Sequence, residues 1–263
     1  MNDKTTSRCG YVTLVGRPNV GKSTLLNAML GEKLAITSPK PQTTRNRIPG
    51  ILTEDETQII FLDTPGLHRA TGLLNTYMVD VAQEAMWDTD VVAVLVEAGM
   101  GKSGEVGVSD IVEKVLTRLG DSKTPVVLVL NKIDRFNREQ LLPIISAWQA
   151  VHDFAEIVPV CALNGDGVEG LVKIFSGLMP EGPMLYPRDA LTDLPERFIA
   201  SEIIREHLFL SLERELPYCV AVRVEAWRDR GLDGCVDIEA IIAVERDSQK
   251  GIVIGKGGKM LKG

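Results

Sequence analysis

The chain has 263 residues, of which 44% are hydrophobic and 25% are charged, an ordinary composition for a globular protein. This composition argues against collagen-like, disordered and coiled-coil classes, and the lack of a long apolar run argues against a membrane-spanning helix. A net charge of −7 excludes a broadly basic surface, so any RNA contact must come from a local patch. Four cysteines at no metal-ligand spacing predict free thiols in a reducing cytoplasm.

Up to about residue 178, short β-branched runs alternate with longer segments of helical spacing. Strands are predicted at 11–15, 58–62, 91–96, 126–130 and 157–160, and helices at 74–86 and 111–119, among others. This alternation predicts an α/β fold with a mostly parallel sheet and helices on both faces. Ligands of such sheets bind at the carboxyl ends of the strands.

The chain changes character near residue 179. Four prolines in residues 179–195 predict an extended, semi-rigid linker, so we divide the chain into 1–178, a linker at 179–194, and 195–263. A helix is predicted from Asp193, as its cap, to about Arg214. Three apolar residues are expected near one face of it: Ile199, Ile203 and Phe209. Two strands follow, at 219–227 and 236–244.

A phosphate-binding pattern follows the first predicted strand. Residues 16–23 read GRPNVGKS, which fits G-x-x-x-x-G-K-S, and a helix is predicted to start near Lys22. Glycines let backbone N–H groups converge on phosphates, and a helix N-terminus favours anions. Lys22 would reach the β- and γ-phosphates, and Ser23 would ligate Mg²⁺. A glycine-rich turn without a ligand is the alternative, which the flanking elements disfavour.

Two more segments fall near the same edge of the predicted sheet. The sequence DTPG begins at Asp63, which can hold Mg²⁺ through water, and ends at Gly66, whose N–H can sense a γ-phosphate. A plain turn is the alternative reading of DTPG. In the loop 41–45, Thr43 or Thr44 could complete Mg²⁺ coordination when a γ-phosphate is present, the alternative being a surface loop.

Two segments after later strands predict a guanine site. Residues 131–134 read NKID, and the Asp134 carboxylate can accept hydrogen bonds from guanine N1–H and the exocyclic N2 amino group. Adenine lacks that pair of donors, so this residue selects GTP over ATP. A polar turn is the alternative. The tripeptide Cys161-Ala162-Leu163 has little specificity alone, but its position after the last strand favours a role in binding the base.

The ordered set of segments resembles the five nucleotide-binding boxes of translation-factor-class small GTPases. With QTTR at 42–45 and GKGG at 255–258, it resembles the Era-like GTPase family of ribosome-assembly factors. Other matches are Tyr186-Pro187, Thr192-Asp193, Ile203-Ile204-Arg205-Glu206 and Glu215-Leu216-Pro217-Tyr218. The resemblance covers nearly the whole chain. It implies a G domain of the P-loop NTPase fold at 1–178 and an α+β type II KH domain at 195–263.

The resemblance also assigns site residues. For catalysis it implies Lys22, Thr44 and Gly66. For nucleotide binding it implies Asn19, Val20, Gly21, Lys22, Ser23, Thr24, Asp63, Gly66, Asn131, Lys132, Asp134, Cys161, Ala162 and Leu163. For Mg²⁺ it implies Ser23, Thr44 and Asp63, with Thr43 the less favoured switch threonine. For RNA it implies Gly255, Lys256, Gly257, Gly258 and Lys259.

Two positions depart from related GTPases. Cys161 replaces the usual serine, and we expect little functional cost because Ala162 would contact guanine O6 through its backbone N–H. Leu67 stands where Ras-like enzymes have a water-positioning glutamine, which predicts slow intrinsic turnover. In some relatives the asparagine at the place of Asn19 coordinates K⁺, so K⁺ activation is an open expectation. His68 is disfavoured as a general base.

The GKGG loop fits the G-x-x-G loop of a KH domain, which clamps the backbone of about four nucleotides. Residues 249–263 contain four lysines and no acid, a small electrostatic footprint. Because the chain ends five residues after this loop, we expect the KH fold to be incomplete at its C-terminus, which leaves RNA binding by this chain in doubt.

We therefore expect a GTP-hydrolysing switch that binds the 3′ region of small-subunit ribosomal RNA and assists 30S subunit assembly. The expected setting is the cytoplasm, with peripheral contact at the inner membrane face, as a monomer that does not bind DNA. Two alternatives remain open. One is a nucleotide-sensing interaction module with negligible turnover, and the other is a sister GTPase for the large subunit or for tRNA modification.

Overall fold

The computed structural model describes residues 6–40, 43–66, 89–99, 106–120, 123–231 and 234–262. The predicted helix at 74–86, Leu67 and His68 lie outside these ranges. The described residues form two compact units. The first contains those of Met1–Ala35 and Thr44–Asp193, and the second contains those of Ile36–Thr43 and Leu194–Gly263. The short segment before Thr44 therefore groups with the C-terminal part of the chain.

The first unit is an α/β sheet structure. Its strands are β1 (Arg8–Gly16), β2 (Ile48–Glu54), β3 (Thr57–Asp63), β4 (Val91–Glu97), β5 (Val126–Asn131) and β6 (Glu156–Pro159). Its described helices are α1 (Lys22–Leu30), α2 (Asp110–Leu119), α3 (Arg138–Gln149) and α4 (Val168–Leu178). The sheet order is β2-β3-β1-β4-β5-β6, with β2 antiparallel to β3 and the other neighbours parallel. This confirms the predicted mostly parallel sheet.

Hydrophobic runs explain the central strands. In β4 and β5 every residue is buried except Glu97 at the end of β4, as expected for strands covered on both faces. Strand β2 was missed by the sequence analysis because it contains Pro49 and Gly50, which disfavour a strand. Pro49 is tolerated because β2 lies at the sheet edge.

The proline-rich stretch after α4 contains several bends and a turn, and it packs against the sheet of the first unit. The N–H of Ile51 donates to the carbonyl of Leu191 at 2.8 Å. Gln58 is fully buried, and its amide donates to the Tyr186 carbonyl at 2.9 Å while its carbonyl accepts the Tyr186 N–H at 2.9 Å. Hydrogen bonds thus hold residues 185–191 along β2 and β3. The contact grouping ends this unit at Asp193, and the boundaries set from sequence stay a prediction.

The second unit is α+β. It contains α5 (Glu196–Ser211), an antiparallel pair β7 (Val220–Asp229) and β8 (Val236–Val244), α6 (Asp247–Ile254) and the short α7 (Lys259–Lys262). A small apolar core joins helix and sheet through Leu208, Leu212, Val220 and Val253. Both strands confirm the predicted hairpin to within two residues.

Three details of α5 differ from the sequence expectation. Pro195, not Asp193, occupies the N-cap position, and the Asp193 carboxylate accepts a hydrogen bond from the Tyr186 hydroxyl at 3.1 Å instead. Of the three apolar residues expected near one face, Phe209 is fully buried, whereas Ile203 is 47% exposed. The helix ends at Ser211, because Leu212 is extended and Arg214 has a positive φ of 54°. Within the described ranges, no helix is long and apolar enough to cross a membrane.

Candidate nucleotide-binding site

The loop between β1 and α1 is a tight cradle that only small residues permit. Gly21 has φ of 98°, and a Cβ there would lie 2.3 Å from the Asn131 side-chain nitrogen. A Cβ on Gly16 would lie 2.6 Å from the Leu95 carbonyl oxygen. The glycines of the phosphate-loop pattern therefore serve close approach between the loop and its neighbouring strands. The helix that follows starts at Lys22, as predicted.

Lys22 is a buried cation held at the mouth of this loop. Its ammonium donates to the carbonyls of Gly16 and Arg17, both at 3.2 Å, and the residue is 6% exposed. Burial lowers the pKa of Lys22 to about 8, and the nearby Asp63 carboxylate opposes that shift. An anion beside the ammonium would favour its charged form, which is the electrostatic requirement of a phosphate site.

Three oxygen-bearing side chains meet next to Lys22. The Ser23 hydroxyl donates to Asp63 Oδ2 at 2.7 Å and lies 2.9 Å from the Thr44 hydroxyl, which donates to the same carboxylate oxygen at 3.2 Å. Asp63 Oδ1 is buried and has no hydrogen-bond partner among the described residues. Burial raises the pKa of Asp63, and Lys22, Ser23 and Thr44 counteract the rise.

This donor set fits a magnesium ion. Two hydroxyls and a carboxylate supply the hard oxygen ligands that Mg²⁺ prefers, and a buried carboxylate oxygen without a partner is the group that such an ion or its water would satisfy. The structure also separates the two candidate threonines. The Thr43 hydroxyl donates to the Lys40 carbonyl at 2.8 Å, whereas the Thr44 hydroxyl reaches Ser23 and Asp63.

Gly66 closes this side of the site. A Cβ at this position would lie 2.8 Å from the Pro18 Cα, so the backbone after β3 passes directly against the phosphate loop. The hydroxyl of Thr64 donates to the Leu14 carbonyl at 2.7 Å and ties the same turn to β1. The DTPG segment therefore belongs to the same site as residues 16–23.

The NKID segment is joined to the phosphate loop by side-chain hydrogen bonds. The amide of Asn131 donates to the Val20 carbonyl at 2.7 Å, and its oxygen accepts from the Ala162 N–H at 3.0 Å. Lys132 has φ of 65°, and its ammonium donates to the Asn19 carbonyl at 2.7 Å and pairs with the Glu97 carboxylate. The predicted guanine residues and phosphate residues are thus brought together by the fold.

Two contacts near the predicted base site were not predicted from the sequence. The Ala162 N–H, predicted to reach guanine O6, donates to Asn131 in this structure, so a base would share or replace that bond. The Cys161 thiol is buried and donates to Asp134 Oδ1 at 3.3 Å. The departure from serine therefore keeps a side-chain donor on the carboxylate, which an argument from the backbone alone did not find. Leu163 is 84% exposed.

The second predicted site is the glycine-rich loop between α6 and α7. Gly255, Gly257 and Gly258 all have positive φ, at 72°, 65° and 76°. Lys256 and Lys259 are exposed on this loop. A Cβ on Gly257 would meet no atom within 4 Å, and exposed ammonium groups flank this glycine backbone, so it can approach a phosphodiester backbone closely. Four of the five predicted RNA-binding residues lie in this loop, and the fifth, Lys259, begins α7.

Fold and site together define a class: a P-loop GTPase domain followed by a KH domain. A family model described as "50S ribosome-binding GTPase" matches residues 11–132, and a "KH domain" model matches residues 215–263. The chain is 54% identical over 255 residues to GTPase Era of Geotalea uraniireducens, covering 97% of this chain and 84% of that protein. GTPase Era of Alkaliphilus metalliredigens is 44% identical over 256 residues, covering 97% and 85%.

Solved structures agree. A crystal structure of Era in complex with MgGDPNP and nucleotides 1506–1542 of 16S ribosomal RNA matches with a TM-score of 0.88 at 37% identity, covering 97% of this chain and 85% of that chain. An Aquifex aeolicus Era variant bound to GDP·AlF4⁻ matches with a TM-score of 0.85 at 38% identity and the same coverage. The chain belongs to the Era GTPase family, which confirms the predicted fold class and the predicted GTPase activity.

Proposed function

We propose that this chain is a guanine-nucleotide switch that hydrolyses GTP, binds the 3′ region of small-subunit ribosomal RNA and assists assembly of the 30S subunit. The observation that carries the proposal is the convergence of Ser23, Thr44 and Asp63 beside the buried Lys22. The Asn131 side chain joins this cluster to a guanine-selective segment. One sheet edge therefore holds a phosphate site and a base site together.

The phosphates would lie in the cradle formed by the β1–α1 loop. Lys22 would pair with the β- and γ-phosphates. Burial lowers the pKa of Lys22 to about 8, and the negative phosphates would raise that pKa again and stabilise the ammonium form. Backbone N–H groups of the loop would surround the remaining oxygens. The residues assigned to this role are Asn19, Val20, Gly21, Lys22, Ser23 and Thr24.

The magnesium site would be formed by Ser23, Thr44 and Asp63. A bound Mg²⁺ supplies charge neutralisation to the β- and γ-phosphate oxygens. Thr44 is the better switch residue, because the Thr43 hydroxyl is already used by the Lys40 carbonyl. Thr44 and the Gly66 N–H would both respond to the γ-phosphate, so both would be released after hydrolysis.

The guanine base would be read by the Asp134 carboxylate through N1–H and the N2 amino group. Cys161 holds one oxygen of that carboxylate, and the Asn131 side chain fixes the loop above the base. Lys132 adds a hydrogen bond to the Asn19 carbonyl, which links the base site to the phosphate loop. Adenine offers no matching pair of donors, so ATP would be rejected.

Hydrolysis is expected to be slow because Leu67, which lies outside the described residues, cannot orient a water molecule. Asn19 remains the candidate K⁺ ligand, and its carbonyl is held by Lys132. GTPase rates in K⁺ and Na⁺ at equal ionic strength test this part, and equal rates would reject K⁺ activation. Multiple-turnover phosphate release separates an enzyme from a nucleotide-sensing module, which would show no release above the rate without protein.

The RNA contact would be made by Gly255–Lys259, the loop with three positive-φ glycines and two exposed lysines. A relative was crystallised with nucleotides 1506–1542 of 16S ribosomal RNA, which makes the 3′ end of that RNA the probe of choice. Fluorescence anisotropy with a single strand of that region, in GDP and in a non-hydrolysable GTP analogue, measures binding. A large-subunit RNA strand and a tRNA as competitors test the sister-GTPase alternative.

The loop provides a matched pair of variants for that titration. A Cβ on Gly257 meets no atom within 4 Å, so a side chain fits, but φ of 65° strains any residue there. Asp and Asn tolerate this conformation similarly, so Gly257→Asn controls for strain while Gly257→Asp adds a negative charge. We expect Gly257→Asp to bind RNA at least about tenfold more weakly than Gly257→Asn, from repulsion of the phosphates. Equal binding by the two variants would remove this loop from the RNA site.

We also propose that the protein is cytoplasmic, that it makes peripheral contact with the inner membrane face, and that it is a monomer. Flotation with vesicles of phosphatidylglycerol and phosphatidylethanolamine tests the membrane contact, and analytical ultracentrifugation tests the monomer. A protein that stays with the soluble fraction, or one that sediments as a dimer, would refute the corresponding expectation.

A further inference from the structure

The strand between the two nucleotide-binding segments ends in a carboxylate that lies outside every predicted motif. Strand β4 is placed between β1, which leads into the phosphate loop, and β5, which leads into NKID. Glu97 is its last residue and is in register with Asn131 of β5. The N–H of the next residue, Ala98, donates to the Asn131 carbonyl at 2.8 Å. The end of β4 is therefore fixed against the NKID segment, at the sheet edge where ligands of such folds bind.

The Glu97 carboxylate has two cationic neighbours in the segment that follows β5. The Lys132 ammonium donates to Glu97 Oε1, and the Arg135 guanidinium lies 3.6 Å from Oε2. The Lys132 side chain is partly buried, whereas Arg135 is exposed. The pair with Lys132 is therefore the one that faces the candidate site.

Lys132 connects this carboxylate to the phosphate loop. Its ammonium donates to the Asn19 carbonyl at 2.7 Å as well as to Glu97. Asn19 and Lys132 both have left-handed backbones, with φ of 63° and 65°. Non-glycine residues keep this conformation only where the surrounding contacts impose it. The Lys132 ammonium thus joins two strained residues, one in each segment, and Glu97 fixes the position of that ammonium.

The held carbonyl determines where the neighbouring N–H points. A trans peptide unit is planar, with its N–H directed opposite to its carbonyl. The Asn19 carbonyl shares a unit with the Val20 N–H, and the Val20 carbonyl, which accepts from the Asn131 amide at 2.7 Å, shares one with the Gly21 N–H. With both carbonyls held on the NKID side, these two N–H groups are turned to the opposite side of the loop. That side is where the cradle would bind phosphate.

We propose that Glu97 is a positioning residue that holds Lys132 on the phosphate loop and so orients the Val20 N–H for the phosphates of a guanine nucleotide. This inference rests on the proposed function. The sign of the effect distinguishes positioning from charge alone. A carboxylate near a phosphate site repels the nucleotide, so by charge alone its removal would strengthen binding. Positioning predicts the reverse, because a freed Lys132 leaves the Asn19–Val20 peptide unit without its restraint.

The test measures the affinity and the dissociation rate of fluorescent GDP, with Mg²⁺ present, for wild type, Glu97→Ala and Glu97→Gln. We expect Glu97→Ala to lower the affinity about fivefold, the upper range for an exposed ion pair. The change should appear mainly as faster dissociation. Glu97→Gln keeps an acceptor oxygen for Lys132, so it should lose only about twofold although it has lost the same charge.

Two further variants serve as matched controls. Glu113→Ala removes an exposed carboxylate from α2 and changes the net charge by the same amount as Glu97→Ala. Arg135→Met removes the other ion pair of Glu97. Both should bind GDP within about twofold of wild type. A loss in Arg135→Met as large as that in Glu97→Ala would mean that the carboxylate acts through the turn after NKID, which would overturn the inference.

A double variant tests whether Glu97 acts through Lys132. Glu97→Ala combined with Lys132→Met should lose no more GDP affinity than Lys132→Met alone, because both changes release the same contact with the loop. A general structural defect at the end of β4 would add its own loss to that of Lys132→Met. Additive losses would therefore refute the positioning role.

The remaining outcomes separate this inference from the proposed function. GDP binding that is unchanged or tighter in Glu97→Ala, beside a loss in Lys132→Met, would overturn the role of Glu97 and leave the guanine-nucleotide site intact. A wild-type protein that does not bind GDP would reject the proposed function itself, and the role of Glu97 with it.

Discussion

The candidate nucleotide site and the polar contacts of Lys40, Arg205 and Glu206 differ in how the sequence encodes them. In the nucleotide site, Asp63 and Asn131 end β3 and β5, and Lys22 begins α1 after the loop that follows β1, each inside a short contiguous motif. In the second group, Lys40 comes from a loop, while Arg205 and Glu206 lie in the middle of a helix more than 160 residues later. Sheet topology therefore brings motifs together predictably, whereas the sequence of a helix does not show which residues its buried face contacts.

The guanine site should show the largest effect of a single substitution. Asp134→Asn keeps the size of the side chain but leaves one acceptor for two guanine donors, and sites built on such bonds discriminate strongly. We expect GTP affinity to fall by about 10³-fold, somewhat less than the roughly 10⁴-fold that sites built on such bonds can reach, while XTP, which carries a carbonyl in place of the amino group, binds the variant better than GTP does. Competition against fluorescent GDP measures both.

Asp134→Glu serves as a control, since it keeps the charge but moves the carboxylate. An Asp134→Asn protein that binds GTP as wild type does would contradict the assignment of this residue to the base.

The ion pair in α5 comes next in size. Glu202 and Arg205 are an i,i+3 pair whose side chains are 11% and 4% exposed. Arg205→Met leaves a buried carboxylate without its partner, which costs about 3–5 kcal/mol. Because the Thr43 carbonyl also loses its donor, this variant should loosen the segment before Thr44 as well. Hydrogen exchange of α5 amides measures the loss within the second unit.

The matched control replaces both members, Glu202→Leu with Arg205→Met. Removing the whole pair is often neutral, because neither charge remains to be desolvated. A double variant as unstable as Arg205→Met alone would mean that the Thr43 contact, rather than the ion pair, dominates the stability of this helix. An equally stable single variant would contradict the burial argument.

Sequence analysis predicted positions in the fold best where one short motif contains both the functional side chains and the residues that shape the backbone. The phosphate loop, DTPG and NKID were each predicted to follow a strand, and they lie at the ends of β1, β3 and β5. It did not identify the buried side of α5, where Ile203 is exposed while Arg205 and Glu206 are buried. Periodicity treats charged residues as solvent-facing, whereas here Arg205 pairs with Glu202 and donates to the Thr43 carbonyl, and Glu206 accepts from the Thr37 N–H. These partners make the burial of both charges favourable.

The contact between the Cys161 thiol and Asp134 was also missed by the sequence analysis. A tripeptide with little intrinsic specificity was assigned to the site by its position after a strand, which is a topological argument. The contact of its thiol with Asp134 depends on how the loop after β6 turns, through the Cys161 N–H to Asp166 carbonyl bond at 2.8 Å. Nothing in the spacing of residues 131–163 reports that turn.

Cys161 gives the smallest and most selective of the expected effects. A thiol is a weak donor, so Cys161→Ala should lower the affinity for guanine nucleotides only about threefold, and Cys161→Ser should match or exceed wild type because a hydroxyl donates more strongly. ITP lacks the N2 amino group, so if Cys161 orients the carboxylate for both guanine donors, the alanine variant loses less affinity for ITP than for GTP. Equal losses would indicate a packing role, and unchanged affinities would show that Asp134 needs no help from the thiol. A loss that is larger for GTP than for ITP would show that the thiol orients the Asp134 carboxylate toward both guanine donors.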